Sequence, residues 1–504
     1  MPIDPTSLIY SALTAVLNYF AAWVYLFAGP SIIQGGFEKA KGQPFEVFAP
    51  DSRYVFVSSA KHIKEVDSAP DTVLSLHAAS DQVSLFLPWF GANVVDMSIS
   101  DTEQMLQAKY TMHGFKWFDH RGTKGIGYVR AVRTLLTRNL PQILPDLRVL
   151  LRNRFTEMRK EHPIVDGNCQ SPVYEMILKL VVLANADSIF SSELSKNEAF
   201  MTSALAYIEE TMMSAEIIRL MPHVLAPVVG RLISGRLHSH QIVFNTLLPI
   251  VEQRCQEREM AKLGHAVPQH MDCIQWILES SPRKQPCSAE HVVHELMAIW
   301  FGSVHALSTT ITFAIHDLCL HPEYIDPLRN EIETQYDEFE RTGQGLPLLD
   351  SFIKESARLT PVESMSTRRY VLQPFSLSNG AKLSVGDWVC TPVRSLMQHP
   401  DNYPEPLTFN GFRFVDPHIL PGRFHPLQPK PSRLTDVDNT WHVWGTNRLA
   451  CPGRFYAAAV IKVLLSQIIR DYDCQLVDPD ARRWFSWRSS MLPSKTSMVV
   501  FTPR

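Results

Sequence analysis

The sequence offers little from which a disulfide framework or a strongly charged surface could be built. Its eight cysteines are scattered along 504 residues and form no CxxC pair, so neither a disulfide framework nor a structural zinc site is expected. Charged residues make up 20% of the chain and give a net charge of −3, without a run of five like charges. This balance gives no general attraction to nucleic acid or anionic lipid, so nucleic-acid binding is not expected.

Several familiar motifs are missing as well. Gly125-Ile126-Gly127 lacks the third glycine of a dinucleotide loop, and neither a Walker motif nor a Gly-x-Ser-x-Gly elbow occurs. His291-Val292-Val293-His294-Glu295 differs from the HExxH zinc motif, and its place at the start of a predicted helix favours a solvated first turn. The electrons for any redox reaction must therefore come from a partner.

What the sequence contains is mostly apolar. Hydrophobic residues make up 45% of the chain, with 35 prolines against 22 glycines. This composition fits a folded protein with a large core and excludes collagen, coiled coil and low-complexity disorder. At about 150 residues per domain, the length by itself suggests roughly three domains.

The longest gap in charge lies at the N-terminus. No charged residue occurs from Thr6 to Phe37, and Leu8–Phe27 is an almost continuous apolar run of about the length that spans 30 Å of hydrocarbon. A signal peptide usually has a basic start and a shorter apolar core, whereas here only Asp4 precedes the run. We predict a transmembrane anchor at residues 8–27, with a buried core helix as the alternative.

Two short strands are predicted early in the chain, in QPFEVFAP and YVFVSSAKHI, because apolar and polar residues alternate there. From about Glu103 to Cys319 the apolar period is helical. Within that region Glu290–Leu320 is predicted as one long helix, capped by Ser288 and ended by His321-Pro322. A helix of this length usually crosses a whole domain.

Shorter elements follow the long helix. LLDSFIKESARL is amphipathic, and Tyr370–Thr391 alternates like a strand pair around an Asn379-Gly380 turn. Proline is concentrated between Pro400 and Pro431 among aromatic residues, which predicts an irregular covering loop. The expected fold class is therefore mainly α with a small β subdomain.

The most informative segment is WGTNRLACPGR, from Trp444 to Arg454, followed by an apolar helix. It places Cys451 directly before a helix, where free amides and the dipole are expected to lower the thiol pKa. No second cysteine or histidine is close enough in sequence for a zinc site, whereas a haem iron needs only one axial thiolate. From these residues alone, a buried structural cysteine is the more common outcome for such a residue.

This segment resembles the haem-binding loop of the cytochrome P-450 superfamily. Glu355-Ser356-Ala357-Arg358 resembles the family's ExxR motif, and Phe412-Arg413-Phe414 its Arg-Phe element. Arg369 lies where the family places a partner of a haem propionate. The four elements occur in the family's order, and the resemblance covers about Gln34 to Arg504. Within the family, the sequence most resembles membrane-bound fungal enzymes of secondary-metabolite biosynthesis.

The resemblance implies a cytochrome P-450 fold, one catalytic domain at residues 34–504, and haem b with Cys451 as the axial ligand. It also implies O2, an NADPH-cytochrome reductase as electron donor, and a single-pass anchor in the endoplasmic reticulum membrane with a cytosolic catalytic domain. Glu355, Arg358 and Arg413 are expected as a buried network. Arg133 matches the arginine of the family's WxxxR element, which implies a propionate ligand, although Val129 replaces the tryptophan.

The haem-binding loop departs from the family pattern at several positions. Asn447 replaces a glycine, and asparagine tolerates the left-handed backbone that this glycine supplies. Leu449 replaces a basic residue, so the adjacent Arg448 is the expected substitute as a propionate contact. Trp444 replaces phenylalanine and adds an N–H donor, which can tune the iron potential. Gly453 keeps the final glycine.

A larger departure lies in the long helix. Ala306 occupies the position of the family's alcohol, which helps to deliver protons during oxygen activation. His305 precedes it and is either a relay base or a packed polar residue. Thr309 and Thr310 lie about one turn further along the helix. These three residues are the candidate catalytic residues.

The expected reaction is hydroxylation of a bulky apolar natural-product intermediate by hydrogen abstraction and rebound. The alternative is oxidation without rebound, such as aryl or phenol coupling, ring closure or desaturation, which Ala306 favours slightly. A rival of another class is a non-catalytic haem-binding membrane protein.

Overall fold

The computed structural model describes residues 5–76, 127–161, 164–165, 168–221, 225–281, 287–422, 424–425, 427 and 431–504. Only the backbone is described at residues 5–21, 127, 164–165, 168–169, 226–227, 231, 234 and 448. Residues 103–126, where the region predicted as helical begins, lie outside the described residues, and so does the Gly125-Ile126 pair.

Helices make up most of the described chain, as the three- and four-residue apolar spacing predicts. The α-helices are α1 (Pro5–Ala40), α2 (Ala60–Ser68), α3 (Gly127–Arg130), α4 (Leu140–Glu161), α5 (Val173–Ile189), α6 (Glu198–Leu220), α7 (Ala226–Ser234), α8 (Ser239–Lys262), α9 (Cys273–Ser280), α10 (Ala289–Ser303), α11 (His305–Leu320), α12 (Ile325–Thr342), α13 (Pro347–Leu359), α14 (Val393–Met397) and α15 (Arg454–Asp471). A π-helical stretch, Ala131–Leu136, continues α3.

The strands are short and lie at the margins of the helical core. They are β1 (Phe45–Phe48), β2 (Arg53–Phe56), β3 (Leu74–Ser75), β4 (Ile164–Val165), β5 (Asn168–Pro172), β6 (Ser366–Val371), β7 (Phe375–Ser376), β8 (Lys382–Leu383), β9 (Trp388–Thr391), β10 (Tyr472–Leu476), β11 (Trp484–Trp487), β12 (Ser490–Pro493) and β13 (Met498–Pro503). One sheet has the order β1-β2-β9-β6-β3 and another β10-β13-β5-β4, and β11-β12 and β7-β8 are separate pairs. The predicted fold class, mainly α with a small β part, is confirmed.

The predicted second strand is too long. It ends at Phe56, and the Oγ of Ser59 accepts a hydrogen bond from the His62 amide at 3.3 Å to start α2. Serine is a favourable N-cap because its hydroxyl satisfies an amide that the helix leaves free. AKHI is therefore helical, since this local cap takes precedence over the alternation.

The long helix predicted over Glu290–Leu320 is divided into α10 and α11. The capping prediction is confirmed, because Ser288 Oγ accepts from the His291 amide at 3.3 Å. The break lies at Val304, whose φ of −94° and ψ of −64° depart from helical values. Asn185 Nδ2 of α5 donates to the Ser303 carbonyl at the break, at 3.0 Å. A side chain distant in sequence thus satisfies a carbonyl at this point.

Within the part of the chain whose side chains are described, the run Ala289–Leu320 is long and apolar enough to cross a membrane. Within its most apolar window, 56% of this run is buried inside the protein. The run, which comprises α10 and α11, is therefore the central helical segment of the core.

The N-terminal run predicted as an anchor is helical and lies within α1. The helix continues past residue 27 to Ala40 and turns at Ala28, where φ is −128° and ψ 18°. Tyr25 and Leu26 are buried, whereas Val24 and Phe27 are exposed. The last residues of the predicted segment 8–27 thus already pack on the following domain, without an intervening linker.

A close backbone approach fixes this packing. The amide of Arg488, between β11 and β12, donates to the Leu26 carbonyl at 2.7 Å. A Cβ on Gly29 would lie 1.9 Å from the Arg488 carbonyl oxygen, so only glycine allows α1 to approach the hairpin this closely.

Candidate functional site

The loop that carries Cys451 is held by backbone geometry that the sequence favours. The Cys451 amide donates to the Trp444 carbonyl at 2.7 Å. Gly445 and Asn447 both have a positive φ, of 79° and 50°. Asparagine tolerates this left-handed region better than most side chains. The structure thus places Asn447 in the left-handed conformation expected of the glycine that it replaces.

The environment of the Cys451 thiol combines burial with positive charge. Burial raises the pKa of the Cys451 thiol, while the amides of Gly453 and Arg454 and the charges of Arg454 and Arg133 act in the opposite direction. The expectation of a lowered thiol pKa is wrong in its net direction. The free energy lost when the thiolate is removed from water exceeds the stabilisation that these amides and charges provide. A bound metal cation would supply the missing stabilisation.

Cys451 opens onto a cavity of about 560 Å³, within the size range of small-molecule and cofactor sites. Gly453, Trp444 and Leu449 line the cavity on the side of the Cys451 loop. Residues of α10 and α11 form another part of the cavity wall. The cavity thus separates the thiol from the broken central helix.

The helical wall is made of small side chains. Ala298, Gly302, Ala306 and Thr310 line the cavity at four-residue intervals, so they share one helical face. A Cβ built on Gly302 would meet no atom within 4 Å. Thr310 Oγ1 donates to the Ala306 carbonyl at 2.9 Å. Of the three candidate catalytic residues, only Thr310 lines this cavity.

His305 and Thr309 lie on another face of the helix and are not among the residues that line the cavity. His305 Nδ1 lies 3.2 Å from the Tyr174 hydroxyl, and Tyr174 also hydrogen-bonds to Thr309. Burial lowers the pKa of His305, with the charge of Lys495 as a second cause. The imidazole is therefore neutral at physiological pH, and its catalytic role stays a prediction.

Two adjacent arginines of β6 line the cavity, and each has an acidic partner. Arg369 Nη2 lies 3.2 Å from Asp67 Oδ1, and Arg368 Nη2 lies 2.6 Å from Glu363 Oε2. Arg369 is thus placed beside the cavity as expected, but Asp67 already neutralises its charge.

Asp67 belongs to no motif that marks it in the sequence. This buried carboxylate at the end of α2 also accepts from Thr446 Oγ1 at 2.8 Å and from Asn447 Nδ2 at 3.5 Å. It therefore connects the first sheet region to the Cys451 loop, more than 370 positions away in sequence. Its one sequence signal is an acidic residue on the apolar face of a short helix, which is too common to interpret alone.

Two of the other residues predicted to contact the cofactor make contacts with the protein backbone instead. Arg133 Nη2 donates to the Ala450 carbonyl at 3.4 Å, beside the loop, and Arg133 is not a lining residue. The Trp444 N–H donates to the Leu434 carbonyl at 2.6 Å, so it is not directed at the thiol as the tuning hypothesis requires. The Arg448 side chain lies outside the described residues.

A buried histidine indicates a further polar group in the cavity. His442 lines the cavity and is 1% exposed. Its ring nitrogens make no hydrogen bond of good geometry within the described residues, and a weak contact with the Asn439 backbone is present. Buried polar atoms are usually paired. A haem fits this set of residues: Cys451 would hold its iron, and His442 and the β6 arginines would be available to its propionates.

The residues Glu355, Arg358 and Arg413 meet in the interior, where all three are 0% exposed. Arg358 Nε donates to Glu355 Oε2 at 2.7 Å, and Arg413 Nε lies 3.0 Å from both Glu355 oxygens. Burial lowers the pKa of Arg413, and Glu355 opposes this shift. One carboxylate thus compensates two buried guanidiniums.

Backbone carbonyls complete the network. Arg358 Nη1 donates to Met397 at 2.8 Å, and Arg413 donates to Pro404 at 2.6 Å and to Thr408 at 2.9 Å. The network therefore fixes the segment after α14, which precedes the Cys451 loop. The Phe412 and Phe414 rings that flank Arg413 are buried.

Comparisons with known proteins agree with this geometry. A family model described as cytochrome P450 matches residues 153–501. The cytochrome P450 monooxygenase paxP of Penicillium paxilli is 27% identical over 460 residues, which cover 88% of this chain and 79% of the relative. The cytochrome P450 monooxygenase olcJ of Penicillium canescens is 30% identical over 393 residues, covering 75% and 71%.

A solved structure shows the same fold. The retinoic acid-bound cyanobacterial CYP120A1 superposes with a TM-score of 0.65 over 95% of this chain and 97% of that chain. At 17% sequence identity, this likeness concerns the fold alone.

Proposed function

Because this chain belongs to the cytochrome P450 family, we propose that it hydroxylates a bulky, apolar natural-product intermediate with O2 and electrons from an NADPH-cytochrome reductase. The family's cofactor is haem with a cysteine thiolate as axial ligand, and we assign this role to Cys451. When bound, the haem activates O2 and supplies the oxidant that removes hydrogen from the substrate. The protein binds the substrate and directs proton transfer.

The observation that carries this proposal is the cavity between Cys451 and the small-residue wall. Ala298, Gly302 and Ala306 leave space where larger side chains would fill it. A substrate there would bury apolar surface, worth about 25 cal/mol per Å² removed from water. Tyr128, Ile299 and Val362 add further apolar lining. The part of the cavity that a haem would leave free therefore suits a substrate with few charges.

Proton delivery is proposed to involve Thr310. Its hydroxyl donates to the Ala306 carbonyl, which leaves its oxygen free to accept from a water or from a substrate hydroxyl. Tyr174 contacts both His305 and Thr309 behind the helix, and we propose that this cluster supports the proton path from outside the cavity.

The N-terminal helix is proposed as a single-pass anchor in the endoplasmic reticulum membrane, with the catalytic domain in the cytosol. The charge-free run over residues 8–27 supports this assignment. The exposure of Val24 and Phe27, just before the turn at Ala28, extends the apolar surface up to the catalytic domain.

Coupling, ring closure or desaturation is the alternative reaction. Ala306 favours it slightly, because a missing alcohol weakens proton delivery. A non-catalytic haem-binding role is less well supported. The intact Cys451 loop and the complete Glu355 network argue against such a decayed protein.

Isotopic oxygen distinguishes the two reactions. Metabolite profiling of the source organism with and without this gene identifies the accumulating intermediate as the test substrate. We expect the enzyme, reconstituted with reductase and NADPH under ¹⁸O₂, to give a product that contains one ¹⁸O atom. An unlabelled product that has lost two hydrogens would instead support oxidation without rebound.

Ala306→Thr tests the proton path. We expect this variant to release less hydrogen peroxide per NADPH consumed, by about threefold, because a positioned hydroxyl assists proton transfer. Peroxide and NADPH are measured in the reconstituted enzyme. Ala306→Val is the matched control, since it adds similar volume without a hydroxyl. Equal peroxide release from both variants and the parent would contradict the prediction.

A further inference from the structure

A cluster of chemically reactive side chains lies outside the cavity, at the start of α10. Cys287 immediately precedes the N-cap Ser288, and its side chain hydrogen-bonds to His291. His291 Nε2 lies 3.3 Å from Glu295 Oε1. The three residues follow one another at intervals of four, so they share one edge of the helix start. Cys287 lies about 16 Å along the helix from Ala298, where the cavity lining on this helix begins.

The local geometry favours a charged thiolate–imidazolium pair. Cys287 is half-buried, and its amide donates to Ser281 Oγ at 2.8 Å, which fixes the backbone beside the thiol. His291 is 36% exposed at its side chain, and Glu295 only 5%. The buried carboxylate thus holds an imidazole that faces both the thiol and solvent. A nucleophile, a base and a group that orients the base form the arrangement of an activated nucleophile.

The electrostatics agree with this geometry. The hydrogen bond to His291 lowers the pKa of Cys287, and Cys287 and Glu295 raise the pKa of His291 to about 10. Burial raises the thiol pKa of the other six cysteines whose side chains are described: Cys255, Cys273, Cys319, Cys390, Cys451 and Cys474.

We propose that Cys287 is a nucleophilic thiol that hydrogen peroxide oxidises to a sulfenic acid, with His291 as its proton partner and Glu295 as the residue that positions His291. The sulfur attacks one peroxide oxygen, so that an S–O bond forms as the O–O bond breaks. The sulfur loses two electrons and peroxide gains them. The departing hydroxide takes the proton of His291 and leaves as water. This modification site is independent of the haem.

The test uses the full-length holoenzyme at pH 7 with hydrogen peroxide and dimedone, which traps sulfenic acids. Peptide mass spectrometry then measures adduct formation at each cysteine. We expect Cys287 to form the adduct at least about tenfold faster than Cys474, because reactivity follows thiolate content and exposure. Cys474 is the internal control, since it is also half-buried but its thiol pKa is raised by burial.

Variants separate the roles of the three residues. His291→Ala should slow the reaction of Cys287 about tenfold and leave that of Cys474 unchanged, because the charged partner of Cys287 is lost. Glu295→Gln should have a smaller effect in the same direction. Equal adduct rates at Cys287 and Cys474, or an unchanged rate in His291→Ala, would overturn the proposal.

A pH profile with iodoacetamide provides a second measurement in the unmodified protein. Among the residues that the structure describes, the charged and titratable groups near the thiol are His291 and Glu295 on α10 and Cys255 on α8, which itself lies beside Glu252, Arg258 and Glu259. Alkylation of Cys287 should extend to lower pH than that of Cys474, since the Cys287 thiolate persists there. Coincident profiles would count against the thiolate pair and hence against the proposal.

Discussion

Cys451→Ser is expected to abolish both the monooxygenase activity and the haem-thiolate spectrum. The reduced, carbon monoxide-bound parent should show an absorption band at about 450 nm, which is expected of thiolate ligation. The variant should lack this band. Serine stays protonated at neutral pH, so the amides of Gly453 and Arg454 would no longer meet an anionic ligand. The loop itself should persist, because the bond from the residue 451 amide to the Trp444 carbonyl needs no side chain.

Difference spectra and product formation measure this effect in the same preparation. Cys255→Ser is the matched control, since Cys255 is half-buried but does not line the cavity. Its spectrum and turnover should equal those of the parent. A variant at Cys451 that kept the band would show that the axial ligand is another residue.

Glu355→Gln is expected to have the largest effect on stability. Removing the carboxylate leaves Arg358 and Arg413 fully buried without a counter-ion, and breaking a buried ion pair in this way costs about 3–5 kcal/mol. The glutamine amide would also direct donors at the two guanidiniums, which are themselves only donors. We expect a loss of this size in the free energy of unfolding, and less haem retained after purification.

The chain offers a close control for this experiment. Glu338 and Arg341 form an ion pair with the same i, i+3 spacing, but their side chains are 58% and 72% exposed. Glu338→Gln should cost less than about 1 kcal/mol, because water screens and solvates exposed charges. Denaturant unfolding of both variants measures the difference. Equal losses would mean that burial is not what makes the Glu355 network important.

Local sequence patterns predicted much of the fold and of the candidate site. The left-handed turn at Asn447, the Ser288 cap and the placement of Cys451 before a helix each depend on a few consecutive residues. The apolar spacing indicated a long central helix because burial repeats with the helical period. The Cys287, His291 and Glu295 cluster also carried a sequence signal in its spacing of four. The two histidines and Glu295 in HVVHE suggest a comparison with a metal motif, and that comparison leaves out Cys287.

Other features depend on residues that are distant in sequence. His294 and Glu295 were expected in a solvated turn, but both are buried, and His294 packs against Phe244 of α8 with ring centroids 5.2 Å apart. The direction of His305 follows from its contact with Tyr174 of α5. The break at Val304 is accompanied by a hydrogen bond from Asn185.

By itself the sequence determined the fold class, the cysteine loop, the members of the Glu355 network and the charge-free N-terminal run. The tertiary structure decided which of these residues meet the cavity. In the structure, His305 and Thr309 do not line the cavity, and Asp67 forms an ion pair with Arg369. The tertiary structure also placed the buried imidazole of His442 in the cavity wall. The physical reason is that conformational preferences and helical periods act over a few residues, whereas burial and charge pairing depend on which distant surfaces pack together.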